Sequence, residues 1–522
     1  MEVRLTGTFI GQNNTASVMR LPWFRVHIVI LNDPGRLIGS HLMHTAQISG
    51  WIGSMLLYEV LVVDRTDTVF NPVWRQGCYA MPIAVRLGAV SSVYGWNLGI
   101  SQVGSVWSYE STVVSHIVFS GLLVLASQWH WAYSDLDIFI SSSSGNLVLD
   151  LSRIFGIHLS LSSILCFTYG MAHLSGTSGP GTQTSDAYGL LGSIRGVKPS
   201  YALTGLTFSS YGVVTSNHIV AGAFGFIISI WHIAVRPQPS LYLALAMGNL
   251  EVVLASSISA VFFIGLIVSS SMWYISVTTP IELLGPSRYQ WDNAYFALDI
   301  GSRLNGTSSI VSGSIWDQVP DKLVLYDYIG CNPAKGGIFR SGPMDKGDGV
   351  AQNWIGHPYF ELGTLALTVR RMPAFFETFP VLMIDQGGTL RSDIPFRRAE
   401  SLYSIEQCKV TVFFVGGVLN GSETNTPAVV KAYTRKAQFG ETFTFNKKGV
   451  SGDGVFRTSI RGWYTFTHVT LSSIFFFGHL WHASRSLFRD LWTGVTVESM
   501  YETEYGRNEK LGDPTSKSSR LL

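Results

Sequence analysis

A repeated spacing constrains this chain more than any other feature. His116 opens an apolar run that closes at Trp129-His130, and His218 opens one that closes at Trp231-His232. His468 opens a looser copy that closes at Trp481-His482, with His479 one turn earlier. The first and last histidines of each run are fourteen residues apart. On an α-helix that spacing covers roughly 21 Å and falls about 40° short of four full turns, so both imidazoles lie on one face. A bilayer core is about 30 Å thick, so such a helix holds one histidine near each membrane surface. An imidazole in a membrane span needs a partner inside the protein. A two-level, same-face set in otherwise uncharged spans reads as a scaffold for stacked metal macrocycles.

The composition fits a membrane protein. Only 13% of the 522 residues are charged, 47% are apolar, and the net charge is +2, a balance that also argues against nucleic acid as a partner. Cys78, Cys166, Cys331 and Cys408 lack metal-ligand spacing. Cys166 falls in an apolar run and reads as a small packing residue; a disulfide among the other three is a minor expectation. Residues 1–19 are polar and lack the apolar stretch of a secretory signal peptide.

Hydropathy predicts an all-α integral membrane protein with six spans in three pairs, at residues 37–58, 112–133, 154–173, 213–234, 252–275 and 463–487. None carries Asp, Glu or Lys in its centre. The apolar segment at 22–33 is too short to span, carries Arg25 and His27, and stops at Pro34-Gly35, so it reads as interfacial. Arginine and lysine are denser on the side of both termini and of the loops at 134–153 and 236–251, which places the termini on the cytoplasm-like face. That orientation puts His41, His44, His130, His158, His232, His479 and His482 at one level and His116, His173, His218 and His468 at the other. The domain plan is 1–36 (N-terminal segment), 37–276 (spans one to five), 277–462 (a large mixed α/β loop domain on the far side), 463–488 (span six) and 489–522 (C-terminal tail). His357, in Gly356-His357-Pro358 of the large loop, reads as structural.

Three function classes compete. A di-haem b-type electron-transfer protein also spaces histidines this way, but each iron takes two axial imidazoles, so two haems need four histidines on two helices. Here they are spread over too many helices. A transporter or channel places ionisable groups or broken helices near mid-membrane, and these spans show neither. A pigment protein needs one axial imidazole per magnesium ring, which explains a high count in two layers. The third class is favoured, with the di-haem protein as the alternative; Trp129, Trp231 and Trp481 also fit an interfacial aromatic belt.

Longer strings carry a resemblance. They include Arg25-Val26-His27, Leu31-Asn32-Asp33-Pro34-Gly35-Arg36, Trp107-Ser108-Tyr109-Glu110 and Phe155-Gly156-Ile157-His158. In the loop they include Thr279-Pro280-Ile281-Glu282, Arg288-Tyr289-Gln290-Trp291-Asp292, Tyr326-Asp327-Tyr328-Ile329-Gly330 and Arg370-Arg371-Met372-Pro373. From about Leu21 onward the chain resembles the chlorophyll-binding core antenna family of photosystem II, and its loop strings resemble the CP47 type more than the sister CP43. The resemblance implies a non-enzymatic light-harvesting subunit of the thylakoid membrane, in a chloroplast or a cyanobacterium, with stromal termini and a lumenal large loop. It implies chlorophyll a, β-carotene and bound lipids as cofactors. Implied partners are the reaction-centre subunits D1 and D2, CP43, small membrane subunits and the extrinsic lumenal subunits of oxygen evolution. All twelve helix-associated histidines fall where the family ligates chlorophyll, including His27, which spacing alone does not select. Where the family has two adjacent histidines, this chain reads Asn217-His218; the expectation is a chlorophyll retained through the Asn217 side-chain oxygen or a water. Residues 1–20 are extra relative to the family, and 91–106 and 141–144 diverge from it.

Overall fold

Each of the first five long helices starts where a short polar side chain can take up an orphan backbone N–H. Asp33 accepts from Arg36 N at 3.2 Å ahead of α1 (Pro34–Val62), with Pro34 in the first turn. Ser108 forms a reciprocal capping box with Ser111 ahead of α2 (Tyr109–Ala132). Asp150, Ser210 and Asn249 cap α3 (Leu151–Thr168), α4 (Tyr211–Ala234) and α5 (Leu250–Tyr274). The last long helix, α6 (Ile460–Leu487), follows Ser459 without a side-chain cap. The helices begin two or three residues before the apolar runs, because each first turn holds polar or small residues that hydropathy does not register. α3 continues through a π-helical turn, Tyr169–Leu174, which carries His173.

These features belong to a computed structural model that describes residues 22–31, 33–88, 108–140, 142, 147–177, 181–185, 193–201, 210–292, 316–337, 339–394, 409–446 and 452–488. The expectations for residues 1–20, 91–106, 141, 143–144 and 489–522, and for Cys408, lie outside these residues. Among the described residues Cys78, Cys166 and Cys331 are free thiols. Among the described residues four helices are long and apolar enough to cross a membrane: α2, α3 with its π turn, α4 and α5. α1 and α6 are longer still but less apolar. The segment at 22–31 forms a 3₁₀ helix, Trp23–Ile30, with Trp23 and Phe24 exposed.

The long helices pack as antiparallel neighbours, α1 on α2, α3 on α4 and α5 on α6, by bringing backbones close at small residues. A methyl group added at Gly39 would stand 3.0 Å from the Ser127 carbonyl oxygen, and one at Gly222 would stand 2.5 Å from the Phe167 nitrogen. Hydroxyls then bridge the α1–α2 seam. Ser127 Oγ donates to Gly39 O at 2.6 Å, Ser120 Oγ to Ala46 O at 2.7 Å and Ser49 Oγ to His116 O at 2.9 Å. Between α3 and α4 the Cys166 thiol donates to His218 O at 3.3 Å.

The segment between α5 and α6 is strand-rich. A seven-stranded antiparallel sheet runs in the order β6-β5-β4-β3-β7-β8, built from β3 (Val350–Leu362), β4 (Leu365–Val369), β5 (Val381–Asp385), β6 (Leu390–Ile394), β7 (Val410–Val415) and β8 (Glu423–Thr424). The seventh strand, β9 (Thr442–Asn446), pairs with the first half of β3; β1 (Thr182–Thr184) and β2 (Ser193–Arg195) form a separate hairpin. The amphipathic helix Pro427–Ala437 packs Val430 and Tyr433 against Phe414 of β7. His357 belongs to this part. Its Nδ1 is 2.7 Å from buried Glu441, and its ring stacks on Trp316 at 4.1 Å.

A second core joins the sheet to the helices. Leu56 of α1, Trp74 and Met81 of the α1–α2 connection, Tyr109 of α2 and Met272 of α5 pack with Leu323, Tyr326 and Trp354 in one buried cluster. Arg75 is fully buried at its centre. It donates to Asp348 Oδ1 at 2.6 Å and Gly349 O at 3.2 Å, and it lies 3.3 Å from Asp345. Arg461, at the base of α6, is also buried; it donates to Met272 O, Thr279 Oγ1, Thr279 O and Gly285 O at 2.7–3.0 Å. These two guanidiniums tie the large loop to the ends of the helices.

Candidate functional site

The helix histidines share one local chemistry. In His41, His116, His218 and His468, Nδ1 lies 2.8–2.9 Å from the carbonyl oxygen four residues earlier, at Leu37, Thr112, Val214 and Tyr464. In His479 the acceptor is Ala255 O across the α5–α6 seam, at 2.7 Å. A carbonyl oxygen can only accept, so each Nδ1 carries a proton, and in the neutral imidazole Nε2 then keeps its lone pair. That is the tautomer and orientation that an axial metal ligand needs. In His482 the acceptor is the Glu251 carboxylate, at 3.0 Å. His130 Nδ1 faces Ser134 Oγ at 3.2 Å.

The antiparallel packing sets the histidines at both ends of each helix pair. Gly35, at the start of α1, meets the His130 carbonyl, while Gly53, nearer its other end, meets His116. Between α3 and α4, Phe155 packs edge-on against the His232 ring at 4.8 Å, and at the opposite end Tyr169 contacts both His173 and His218 at 5.2 and 5.1 Å. In α6, Tyr464 stacks on His468 at 3.9 Å. Trp129 and Trp231 each stand edge-on to the following histidine, at 5.0 and 4.9 Å.

Several positions depart from this pattern. His173 sits in the π turn, and its Nε2, not Nδ1, points at Arg86 O at 3.4 Å. His44 and His158 stand exposed on α1 and α3, and His27 is exposed on the short 3₁₀ helix. Asn217 is half-buried in the second turn of α4, beside His218. Sequence reading did not find Glu251. An acid in the first turn of α5 was visible, but its partner lies 231 positions away.

Among the described residues no group of three or more His, Cys, Asp or Glu stands together to hold a bare metal ion. The imidazoles therefore offer single ligands spread along the helices. Around them the helices leave large apolar side chains exposed, including Leu122, Phe224, Ile264 and Phe477. A surface this apolar needs covering by lipid, another chain or flat apolar molecules.

A family model described as "Photosystem II protein" matches residues 19–513.

Proposed function

The chain belongs to the photosystem II protein family, and from that membership we propose that it is a core antenna subunit that holds chlorophyll a and β-carotene and passes excitation to the reaction centre. The observation that carries this reading is the row of imidazoles whose Nδ1 is tied to a carbonyl, leaving Nε2 free as a single axial ligand. The proposed ligands are His27, His41, His44, His116, His130, His158, His173, His218, His232, His468, His479 and His482, with Asn217 serving the ring that the family holds by a histidine. Family membership does not favour the di-haem alternative.

The proposed topology is six membrane spans in three pairs within the thylakoid membrane of a chloroplast, both termini stromal and the large loop lumenal. The partners are D1, D2, CP43, small membrane subunits, extrinsic lumenal subunits and lipids. Bound chlorophyll absorbs red light and exchanges excitation with neighbouring rings. The protein's work is geometric. Carbonyl-anchored imidazoles fix where a magnesium can sit, glycine and serine seams hold the helices at fixed separation, and aromatic side chains beside the histidines shape each pocket. No bond is made or broken by the chain, so the role is not enzymatic.

The absorption spectrum of the purified complex tests this. Red bands of chlorophyll a support it. A Soret band with sharp reduced α-bands would replace it with haem. A structure with an empty pocket at Asn217 would remove that one site from the set.

A further inference from the structure

Two histidines one turn apart on α6 present their Nδ1 protons to different acceptors. His479 donates to the neutral Ala255 carbonyl at 2.7 Å, and His482 to the Glu251 carboxylate at 3.0 Å. Among the described residues His482 is the only helix histidine whose ring is bonded to a carboxylate. Glu251 is built into place. It occupies the first turn of α5, where the helix dipole favours a negative charge, its own backbone N–H is capped by Asn249 Oδ1 at 2.9 Å, and only 13% of its side chain is exposed. The opposing charge comes from α6: Arg485 Nη1 lies 3.6 Å from the same Glu251 oxygen that accepts from His482.

Resting on the antenna reading above, we infer that Glu251 is a positioning residue that sets the ligand strength of His482, so that the ring bound there is held more tightly, and absorbs at a different energy, than the ring on His479. An anionic acceptor draws the Nδ1 proton outward and raises the electron density on Nε2; a carbonyl does so less. Arg485 shares the carboxylate and moderates that donation. Two substitutions should therefore push the same pigment in opposite directions. Glu251→Gln keeps an oxygen acceptor and removes the charge; Arg485→Met keeps bulk and removes the moderating cation.

The experiment uses the assembled complex. Pigments per reaction centre, their retention under increasing detergent, and low-temperature absorption difference spectra are recorded for Glu251→Gln, Arg485→Met, His482→Leu and, as control, His479→Leu. His482→Leu should remove one chlorophyll and mark its band. Glu251→Gln should weaken retention of that chlorophyll by about 10–100-fold and shift its band, and Arg485→Met should shift the same band the other way. The His479-dependent band should stay put in both. If His482→Leu removes a chlorophyll but neither charge variant moves its band or retention, Glu251 is only a helix cap and the inference fails. If Glu251→Gln does not accumulate, the sign of the Arg485→Met shift relative to Glu251→Asp decides it, and a shift in the same sense rejects it. If His482→Leu keeps every chlorophyll, the antenna assignment of His482 fails and the inference falls with it.

Discussion

The helical part and the strand-rich part solve the problem of buried polar groups in opposite ways. Along the middle of α1–α6 the polar groups in the seams are hydroxyls, a thiol and half-buried imidazoles, bonded to backbone carbonyls at 2.6–3.3 Å. Among the described residues, charge is buried in these helices only toward their ends: Glu59 of α1 accepts from the Tyr79, Ala80 and Met81 N–H groups, Arg461 of α6 donates to neutral oxygens, and Glu251 of α5 meets His482 and Arg485. In the large loop the polar core is ionic. Arg75 sits between Asp348 and Asp345, Arg371 makes a two-pronged contact with Asp327 at 2.6 Å, and Glu441 accepts hydrogen bonds from Trp354 Nε1 and His357 Nδ1. Neutral bonds suit a region that faces lipid, where charge is costly. Ion pairs suit a region that water can reach during folding. The lesson is that the neutral region is tuned for spacing and the ionic one for locking.

The contrast predicts effects of unequal size. Arg75→Met should be the most damaging. It leaves two buried carboxylates without their cation, a loss of about 3–5 kcal/mol, read as a fall in thermal stability of the complex. A change near zero would mean that Asp345 and Asp348 are not held by this guanidinium. Gly222→Leu comes next, because the new side chain has to occupy the space of the Phe167 backbone. A cost of about 3 kcal/mol and loss of chlorophyll from both His173 and His218 is expected, measured by pigment content and accumulation. His116→Leu and His232→Leu should each remove or shift one chlorophyll and slow energy transfer, with helicity by circular dichroism unchanged. Unchanged pigment content in either variant counts against that ligand.

A smaller effect separates the regions by pH. Burial, opposed by Arg75 and reinforced by Asp348, lifts Asp345 from 3.8 to about 7. The folded state therefore holds this proton more tightly than the unfolded chain does. Its contribution to stability is complete below about pH 4 and is lost as pH rises to about 7. Asp345→Asn should flatten that slope in melts followed from about pH 4 to about pH 8; a slope unchanged by the substitution rejects the assignment. The smallest effect is Ser127→Ala, which deletes one hydroxyl bridge to Gly39 O and should cost about 0.6 kcal/mol. A much larger loss would show that the hydroxyl bridges, not the close backbone approach, hold α1 to α2.

Much of the site was legible because it is periodic. His116 and His130, or His218 and His232, are fixed on one face by helix geometry alone, and the apolar runs located the start of every long helix to within two or three residues. The helix starts were displaced because each first turn holds polar or small residues. The break between α5 and α6 was legible as a change in composition, and His357 as a loop residue. The strand order was not, because pairing β3 with β4, β7 and β9 depends on contacts that no local pattern encodes.

The sequence by itself determined which residue types stand at which depth of which helix, since rise and turn angle per residue are properties of the backbone. Only the tertiary structure decided what each of those residues meets. His479 and His482 look equivalent in the chain, yet one faces a carbonyl and the other a carboxylate. Arg75 finds Asp348 from 273 positions away. The physical reason is that hydrogen bonds and charge act over a few ångströms in space, whatever the separation along the chain.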